Sequence, residues 1–371
     1  MPPVGNQPAA PPMASGGNLG IGGAGGDPPS DSAGGSVDTG SSDAGGAAQE
    51  VYPMLDVLKD FLAPDVPAKG PSESDPERKW TPPETLPDWP GEGIAQHPMI
   101  YGGEGYNKIL LVNEGKVIWS YGTGKVNDIW MLSNGHVLFA AGGKITEVTP
   151  KKEVVWSYDP PSGYSIHSCQ PIGLDKVLFV ANGLPAKVAI VDKATGSFVV
   201  DHTLDDAGDD AHSQFRRIRM TADGTYLLPY LKVGKVVEYD SAFTPIWSYE
   251  IQTPWAAIRL RNGNTLITDE RDRNVREVNA QGETVWEFTQ ADLPPNAIQH
   301  NTQTSDRLAN GNTVIFSSTS GEAPPMIQAI ELTADKEVVW VLEDWQNLGP
   351  ATTAQFLDQP GFPEVPGDLQ H

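Results

Sequence analysis

The sequence predicts an all-β protein: a six-bladed β-propeller of four-stranded antiparallel blades, preceded by a flexible tether. Three observations predict it. A tryptophan-bearing segment recurs as KVIWSYG, EVVWSYD, PIWSYE, TVWEFT and VVWVLED, carrying Trp119, Trp156, Trp247, Trp286 and Trp340. SFVVDHT is a degenerate sixth copy with Val200 in the Trp place. Each copy follows a strand-like stretch and a turn, as in ITEVTPKK and VREVNAQG, and before that a turn and an apolar run, as in SNGHVLFA and RNGNTLIT. Asn-Gly and Asp-Gly between apolar runs are strong hairpin signals, and the two-residue hairpin they suggest needs positive φ at both turn positions. Repeats of this period build solenoids or propellers, and a ring of four-stranded sheets leaves only short, protected edges.

Closure of the ring is also legible. The first copy has its second strand at 98–101 but nothing before it to serve as an inner strand. The C-terminal TTAQFLD (352–358) matches the inner-strand position of the other copies and is expected to complete that blade. The recurring tryptophans are expected to pack neighbouring blades together, and the Asn-Gly pairs to be turn chemistry, so neither class belongs among the candidate site residues.

Upstream of the repeats the composition changes. Residues 1–50 hold 13 Gly and 7 Pro and no Lys or Arg. Such a segment cannot bury enough apolar surface to offset its ordering entropy, so 1–50 is expected to be a disordered tether. It resembles the spacer that follows the lipid-bearing cysteine of bacterial surface lipoproteins, which implies a secreted, periplasmic or cell-surface protein of a bacterium. In 51–62, Leu55, Leu58 and Leu62 stand at helical spacing. Residues 64–98, studded with Pro, are expected to run extended, so the domains read as 1–50, 51–97 and 98–371.

Charge and cysteine content exclude several functions. Of 371 residues, 25 are Lys or Arg and 48 are Asp or Glu, a formal charge of −23. A nucleic-acid binder needs a cationic footprint, and an anionic membrane surface would repel this chain. No run approaches the roughly 18 apolar residues of a membrane span, so any membrane contact is expected through a lipid tether alone. Cys169 is the one cysteine, which excludes a disulfide framework and a multi-thiolate metal site; it reads as a small core residue. The expected partner is a small molecule or glycan, anionic ligands included, bound by a monomer with no cofactor and no metal.

The candidate site lies over the central channel. Aligned on their turns, the inner strands place Asn127, His167, Phe215, Trp255 and Gln303 on one level, followed by Asp128, Ser168, Arg216, Ala256 and Thr304. Trp130, Gln170, Ile218, Ile258 and Asp306 come next, then Met131, Pro171, Arg219, Arg259 and Arg307. A ring with purely structural duties would read as small and branched residues, whereas polar and aromatic groups converging on a concavity suggest a binding site. Asn127, Asp128, Trp130, Gln170, Arg219, Trp255, Arg259 and Gln303 are therefore the candidate ligand-binding residues. His167, His212, His300 and Arg216 are the candidates for catalysis. A near-neutral histidine serves as base, nucleophile or metal ligand; a channel-lining imidazole bonded to a neighbouring loop is the plainer alternative, and both stay open. In FRRIR (215–219), alternation sends Arg217 and Arg219 to one face and Arg216 to the other. Arginine there would grip an acidic group in bidentate fashion, or pair with acids of neighbouring blades. The loop LDDAGDDAH (204–212) lacks the residue order of a known calcium loop and reads as a solvated acidic loop.

The units VNAQGETVWEF and VTPKKEVVWSY, followed by NGNTLI and NGHVLF, resemble the pyrroloquinoline-quinone-type propeller repeat. Their alternation also resembles the bacterial arylsulfotransferase-like six-bladed propellers, over residues 98–358. That resemblance implies a sulfuryl group carried on a channel histidine and stabilised by further His, Asn and Arg. The matching position is His167, in IHSCQ, without the following Asp of the family pattern; His212 before Arg216, and His300-Asn301, are looser counterparts. No counterpart of the quinone and calcium site is found. Two readings follow: a binding propeller, or an enzyme transferring a sulfuryl group between phenols or running a lyase or hydrolase step. The enzyme requires a histidine within hydrogen-bond reach of another or of an arginine, whereas the binding module would expose Trp130 and Trp255 as platforms.

Overall fold

The computed structural model describes residues 52–61, 88–104, 107–294, 297, 301–318, 327–344, 347–349 and 352–371. The expected tether at 1–50, the stretch 64–87, Leu62 and His300 lie outside the described residues.

Six antiparallel sheets follow one another along the chain. Blade 2, from the channel outward, is Val126–Met131, Val137–Ala141, Lys144–Val148 and Val154–Tyr158. Blade 3 has a broken inner strand, Ser165–Ile166 and Gln170–Ile172, then Lys176–Asn182, Ala186–Asp192 and Phe198–Leu204. Blade 4 is Arg219–Met220, Tyr226–Tyr230, Lys235–Tyr239 and Pro245–Glu250. Blade 5 is Pro254–Arg259, Thr265–Asp269, Asn274–Val278 and Thr284–Phe288, and blade 6 is Thr302–Arg307, Thr313–Ser317, Ala329–Leu332 and Val338–Leu342. Blade 1 joins both ends of the ring: Thr353–Phe356 pairs with Met99–Gly102, Phe356 opposite Met99 and Thr353 opposite Gly102. Lys108–Asn113 and Lys116–Gly122 finish it. Closure by the C-terminal strand is thus as the repeat arithmetic expects.

Burial follows layer. The second strands Val137–Ala141 and Thr313–Ser317 are buried at every position, and that of blade 3 at every position but Lys176. The outermost strands alternate, as in Pro245–Glu250, because one face meets solvent. The hairpin turns differ from expectation. In the turn after Met131 only Gly135 has positive φ (82°), and its N–H donates to the Leu132 carbonyl. Asn134 keeps negative φ and its side chain accepts the His136 N–H at 3.0 Å. These are longer loops built on a type I turn with glycine in the left-handed place, not two-residue turns; Asn262 and Asn310 make the same contact with Asn264 and Asn312.

The tryptophans join blades. Trp119 donates its indole N–H to the Pro150 carbonyl of blade 2 at 2.8 Å, and Trp286 donates to Ala334 of blade 6 at 2.9 Å. Opposite four of the tryptophans, on the third strand, stands a buried or nearly buried glutamate: Glu147, Glu238, Glu277 and Glu331. Each reaches a cation of the following blade. Glu147 takes Lys193 at 2.6 Å, Glu238 takes Arg259, Glu277 takes Arg307 at 2.6 Å, and Glu331 takes His97 at 3.0 Å. At the other two seams the glutamate is replaced by Leu111 or Ile190, and the facing inner strand ends in Met131 or Met220. Those seams are bridged by glutamines instead. Gln355 accepts the Met131 N–H at 2.7 Å, and Gln170 accepts the Met220 N–H at 2.6 Å.

The N-terminal helix Pro53–Val57 runs into a 3₁₀ turn, Leu58–Asp60. Its buried face is Met54, Val57, Leu58 and Phe61, packed with Trp119 and Tyr121 of blade 1. Leu55 is exposed. The i, i+3, i+4, i+7 set that satisfies a helix stripe begins at Met54, one residue before the expected one.

Candidate functional site

Inner-strand register decides which side chains meet. Asn127, Trp255 and Gln303 each sit as an extra residue in a bulge: Val126 and Asp128 face Ala141 and Ala140, and blades 5 and 6 repeat the pattern. In blade 4, Phe215 faces Tyr230 and Arg219 faces Leu227, so residues 216–218 stand opposite only 228–229. Pro229 has no N–H to continue the ladder there. Counting back from the turn, Arg216 rather than Phe215 takes the place of Asn127. In blade 3, Ile166 faces Ala181 and Gln170 faces Leu178, so His167 takes that place, as the turn-based alignment expects. Only the blade 4 strand is therefore displaced by one residue from the turn-based alignment, which separates Arg219 from Arg259.

Register, hydrogen bonding and burial place four of the candidates. Arg219 shares a level with Trp130 and Asp306, inside the channel. Arg259 shares one with Met131 and Arg307; it pairs with Glu238 and covers Trp247, its guanidinium 5.3 Å from the ring centre, so it serves a blade seam. Gln170 is engaged with the Met220 backbone. Trp130, 2% exposed, donates to the Cys169 carbonyl and lies under Arg219. None of the four faces the mouth.

Inside the channel Asp128 is fully buried and accepts from Arg217 and from both terminal nitrogens of Arg219, at 2.8 and 3.0 Å. Burial alone would raise its pKa, but the two guanidinium groups hold it below the ordinary carboxylate value. Arg217 and Arg219 thus share a face, as alternation predicts. The chain after Phe356 runs beneath the turns: Glu364 accepts the Ser133 N–H, Gly367 (φ 82°) packs on Ala222, and Gln370 accepts the Arg261 N–H. His371 enters the channel, contacts Asp306 at 3.1 Å, and accepts at its carbonyl from Arg219 at 2.8 Å. The turn end is filled by the chain itself.

The opposite end is the mouth. Arg216, buried on its bulge, donates to the His212 carbonyl at 2.6 Å, and its guanidinium lies 5.1 Å from the Trp255 ring centre. Its surroundings are acidic: Glu104, Glu270 and Asp210 all act on it electrostatically. Asn127 donates to Glu104 at 2.5 Å. Burial raises the Glu270 carboxyl above its usual value, against Arg216. Burial also pushes His167 down to about 3, helped by Arg216 and His212, so its imidazole is neutral throughout the physiological range. One ring nitrogen of His167 meets Ser165 Oγ at 3.2 Å; Nδ1 is buried without a partner, as is Gln303 Oε1. The His167 and His212 rings stand 6.2 Å apart, centre to centre. Trp255 is 5% exposed and forms no open platform.

The mouth therefore gathers Asn127, His167, His212, Arg216, Trp255 and Gln303 from the sequence candidates, together with Glu104 and Glu270. The two glutamates lie at loop positions outside the aligned inner strands, and neither carries a motif. Asp306 was legible as channel-lining; His371 gave no signal. In the acidic loop, Asp206 pairs with Lys235, and Asp210 accepts from the Ser213 hydroxyl and meets Lys232. Among the described residues no group of three or more His, Cys, Asp and Glu could hold a metal ion.

No family model matches the chain, and no curated protein matches it. Solved structures do. A protein of unknown function from Bacteroides caccae is 21% identical, covering 69% of this chain and 97% of its own, with a TM-score of 0.63. The likeness is one of fold. Virginiamycin B lyase from Staphylococcus aureus, solved with quinupristin, is 14% identical over 68% of this chain and 86% of its own, with a TM-score of 0.48.

Proposed function

We propose that the chain is a secreted or surface-tethered propeller that binds a small hydroxyl-rich ligand, such as a sugar of a glycan, at the channel mouth. The observation that carries this reading is the combination of buried polar atoms without partners, His167 Nδ1 and Gln303 Oε1, beside an arginine flanked by two glutamates. Unpaired buried acceptors cost stability unless a ligand or water meets them. Two carboxylates beside one guanidinium disfavour an anionic ligand but suit hydroxyls, which donate to Glu104 and Glu270 and accept from Arg216. The Gly-, Pro- and Ser-rich stretch 1–50 supports the tethered placement. Calorimetric titration of the full chain with a panel of mono- and disaccharides tests the reading. Saturable binding lost in Arg216→Ala and Glu270→Gln is expected; binding unchanged in both variants would overturn it.

A second reading keeps the arylsulfotransferase-like resemblance. It is favoured by His167, a neutral imidazole with one free nitrogen. His167 would attack sulfur, the sulfur–aryloxy bond would break with release of a phenolate, and a second phenol would then take the sulfuryl group. Glu104 and Glu270 speak against it, because negative charge beside Arg216 repels the transferring group. p-Nitrophenyl sulfate with a phenol acceptor separates the two. Nitrophenol release that requires both the acceptor and His167 would establish the transferase, and none is expected.

A further inference from the structure

The flank between blades 2 and 3 holds a cavity of about 190 Å³. Its walls are Tyr158, Tyr164, Phe179 and Phe198, and its floor includes Ala189. Tyr158 stands edge-on to Phe198 at 6.1 Å and tilted against Phe179 at 5.0 Å. At the rim, Asp201 accepts from Lys187 at 2.9 and 3.2 Å, both side chains being more than a third exposed.

The repeat itself shows what such a place is built to hold. Ala189 faces Asp201 on the outer strand and Phe179 on the second strand of blade 3. The same position of blade 5 is Arg276, which faces Glu287 and Ile267. Tyr158 likewise corresponds to Tyr249, since they stand opposite Ile145 and Val236 on matching third strands. At the seam of blades 4 and 5 the place is filled from within: Arg276 donates to Glu287 at 2.6 Å and also bonds Tyr249. At the seam of blades 2 and 3 the arginine is replaced by alanine, yet the tyrosine and the acid remain. Tyr164 and Phe198 add two further aromatic walls.

We propose that this cavity is a binding site for an organic cation, a guanidinium or alkylammonium group that takes the place Arg276 occupies in blade 5. Aromatic faces attract such cations through their quadrupoles. Asp201 supplies the carboxylate, sharing it with Lys187 as Glu287 shares its own with Asn274. The −23 formal charge of the chain draws cations toward it. The cavity is smaller than a drug-sized pocket and fits one such headgroup. The cation could be a free amine or an arginine side chain of another protein, and the chemistry is common to both. The site is separate from the channel mouth and does not rest on the function proposed there.

The test is calorimetric titration of the full chain with agmatine, with the capped tripeptide Gly-Arg-Gly, and with the same peptide carrying uncharged citrulline. Agmatine, the arginine peptide or both should bind saturably, and the better of the two identifies the source. The citrulline peptide should bind at least about tenfold more weakly. Ala189→Arg should fill the cavity from within and abolish binding. Phe198→Ala, at an exposed wall, should weaken it about tenfold without affecting folding. Absence of saturable binding by either cationic probe, equal binding of the citrulline peptide, or binding that survives in a folded Ala189→Arg protein would each overturn the proposal. If Ala189→Arg does not fold, unchanged affinity in Phe198→Ala overturns it instead.

Discussion

Arg259 donates to Glu238 across the seam of blades 4 and 5, at the position where Met131 packs with Leu111 across the seam of blades 1 and 2. A polar pair and an apolar pair thus solve one packing problem in one chain. Arg307 with Glu277 repeats the polar solution and Met220 with Ile190 the apolar one.

The interchange makes a prediction. Glu238→Leu or Arg259→Met alone leaves a partly buried charge without its partner and should cost about 2 kcal/mol. The double substitution recreates the Leu111–Met131 solution and should cost less than either single one. A double-mutant cycle by urea unfolding measures the coupling; additive losses would contradict the interchange.

His97 clasps the closing seam. It lies between Glu331 at 3.0 Å and Asp358 at 2.8 Å, packed edge-on against Trp340. Burial pulls its pKa down, but the hydrogen bonds to Asp358 and Glu331 outweigh it and raise the value to about 9. A raised folded-state pKa stabilises fully below the unfolded value near 6.5, and that contribution is lost as pH rises through about 9. The stability difference between wild type and His97→Gln should therefore be on the order of 3 kcal/mol at pH 6 and shrink toward pH 10. Thermal unfolding of both proteins over that range checks the slope, and parallel curves would count against the clasp.

Asp128 balances two buried guanidinium groups. Asp128→Asn keeps the shape and removes the charge, stranding Arg217 and Arg219 in the channel. A loss of about 3 kcal/mol or more is expected in urea unfolding, and a loss under about 1 kcal/mol would mean that the channel is wetter than its burial indicates.

Trp119→Phe retains most of the apolar contact but loses the indole bond to Pro150. A cost of about 1 kcal/mol, appearing as a lower urea midpoint at unchanged slope, is the expected result.

The repeat was legible because its signals are local: Asn-Gly turns, alternating apolar runs and a tryptophan at a fixed place. Even the closing strand could be found, since 352–358 repeats what the other inner strands show. The site was less legible, because it depends on register. The bulge in FRRIR, hidden by Pro229, exchanged Arg219 for Met220 and so set the seam residue Arg259 beside a channel arginine. Glu104, Glu270 and His371 were out of reach for a different reason. Their roles come from loops and a tail that meet the channel only once the ring has closed.

The central claim, that the mouth around Arg216 binds a hydroxyl-rich ligand, is tested most directly by calorimetric titration of the full chain with a sugar panel, in parallel with Arg216→Ala. The account predicts saturable binding of at least one sugar to the wild type, weakened about tenfold or more in the variant. No binding by any sugar, or equal binding by a folded Arg216→Ala protein, would contradict it.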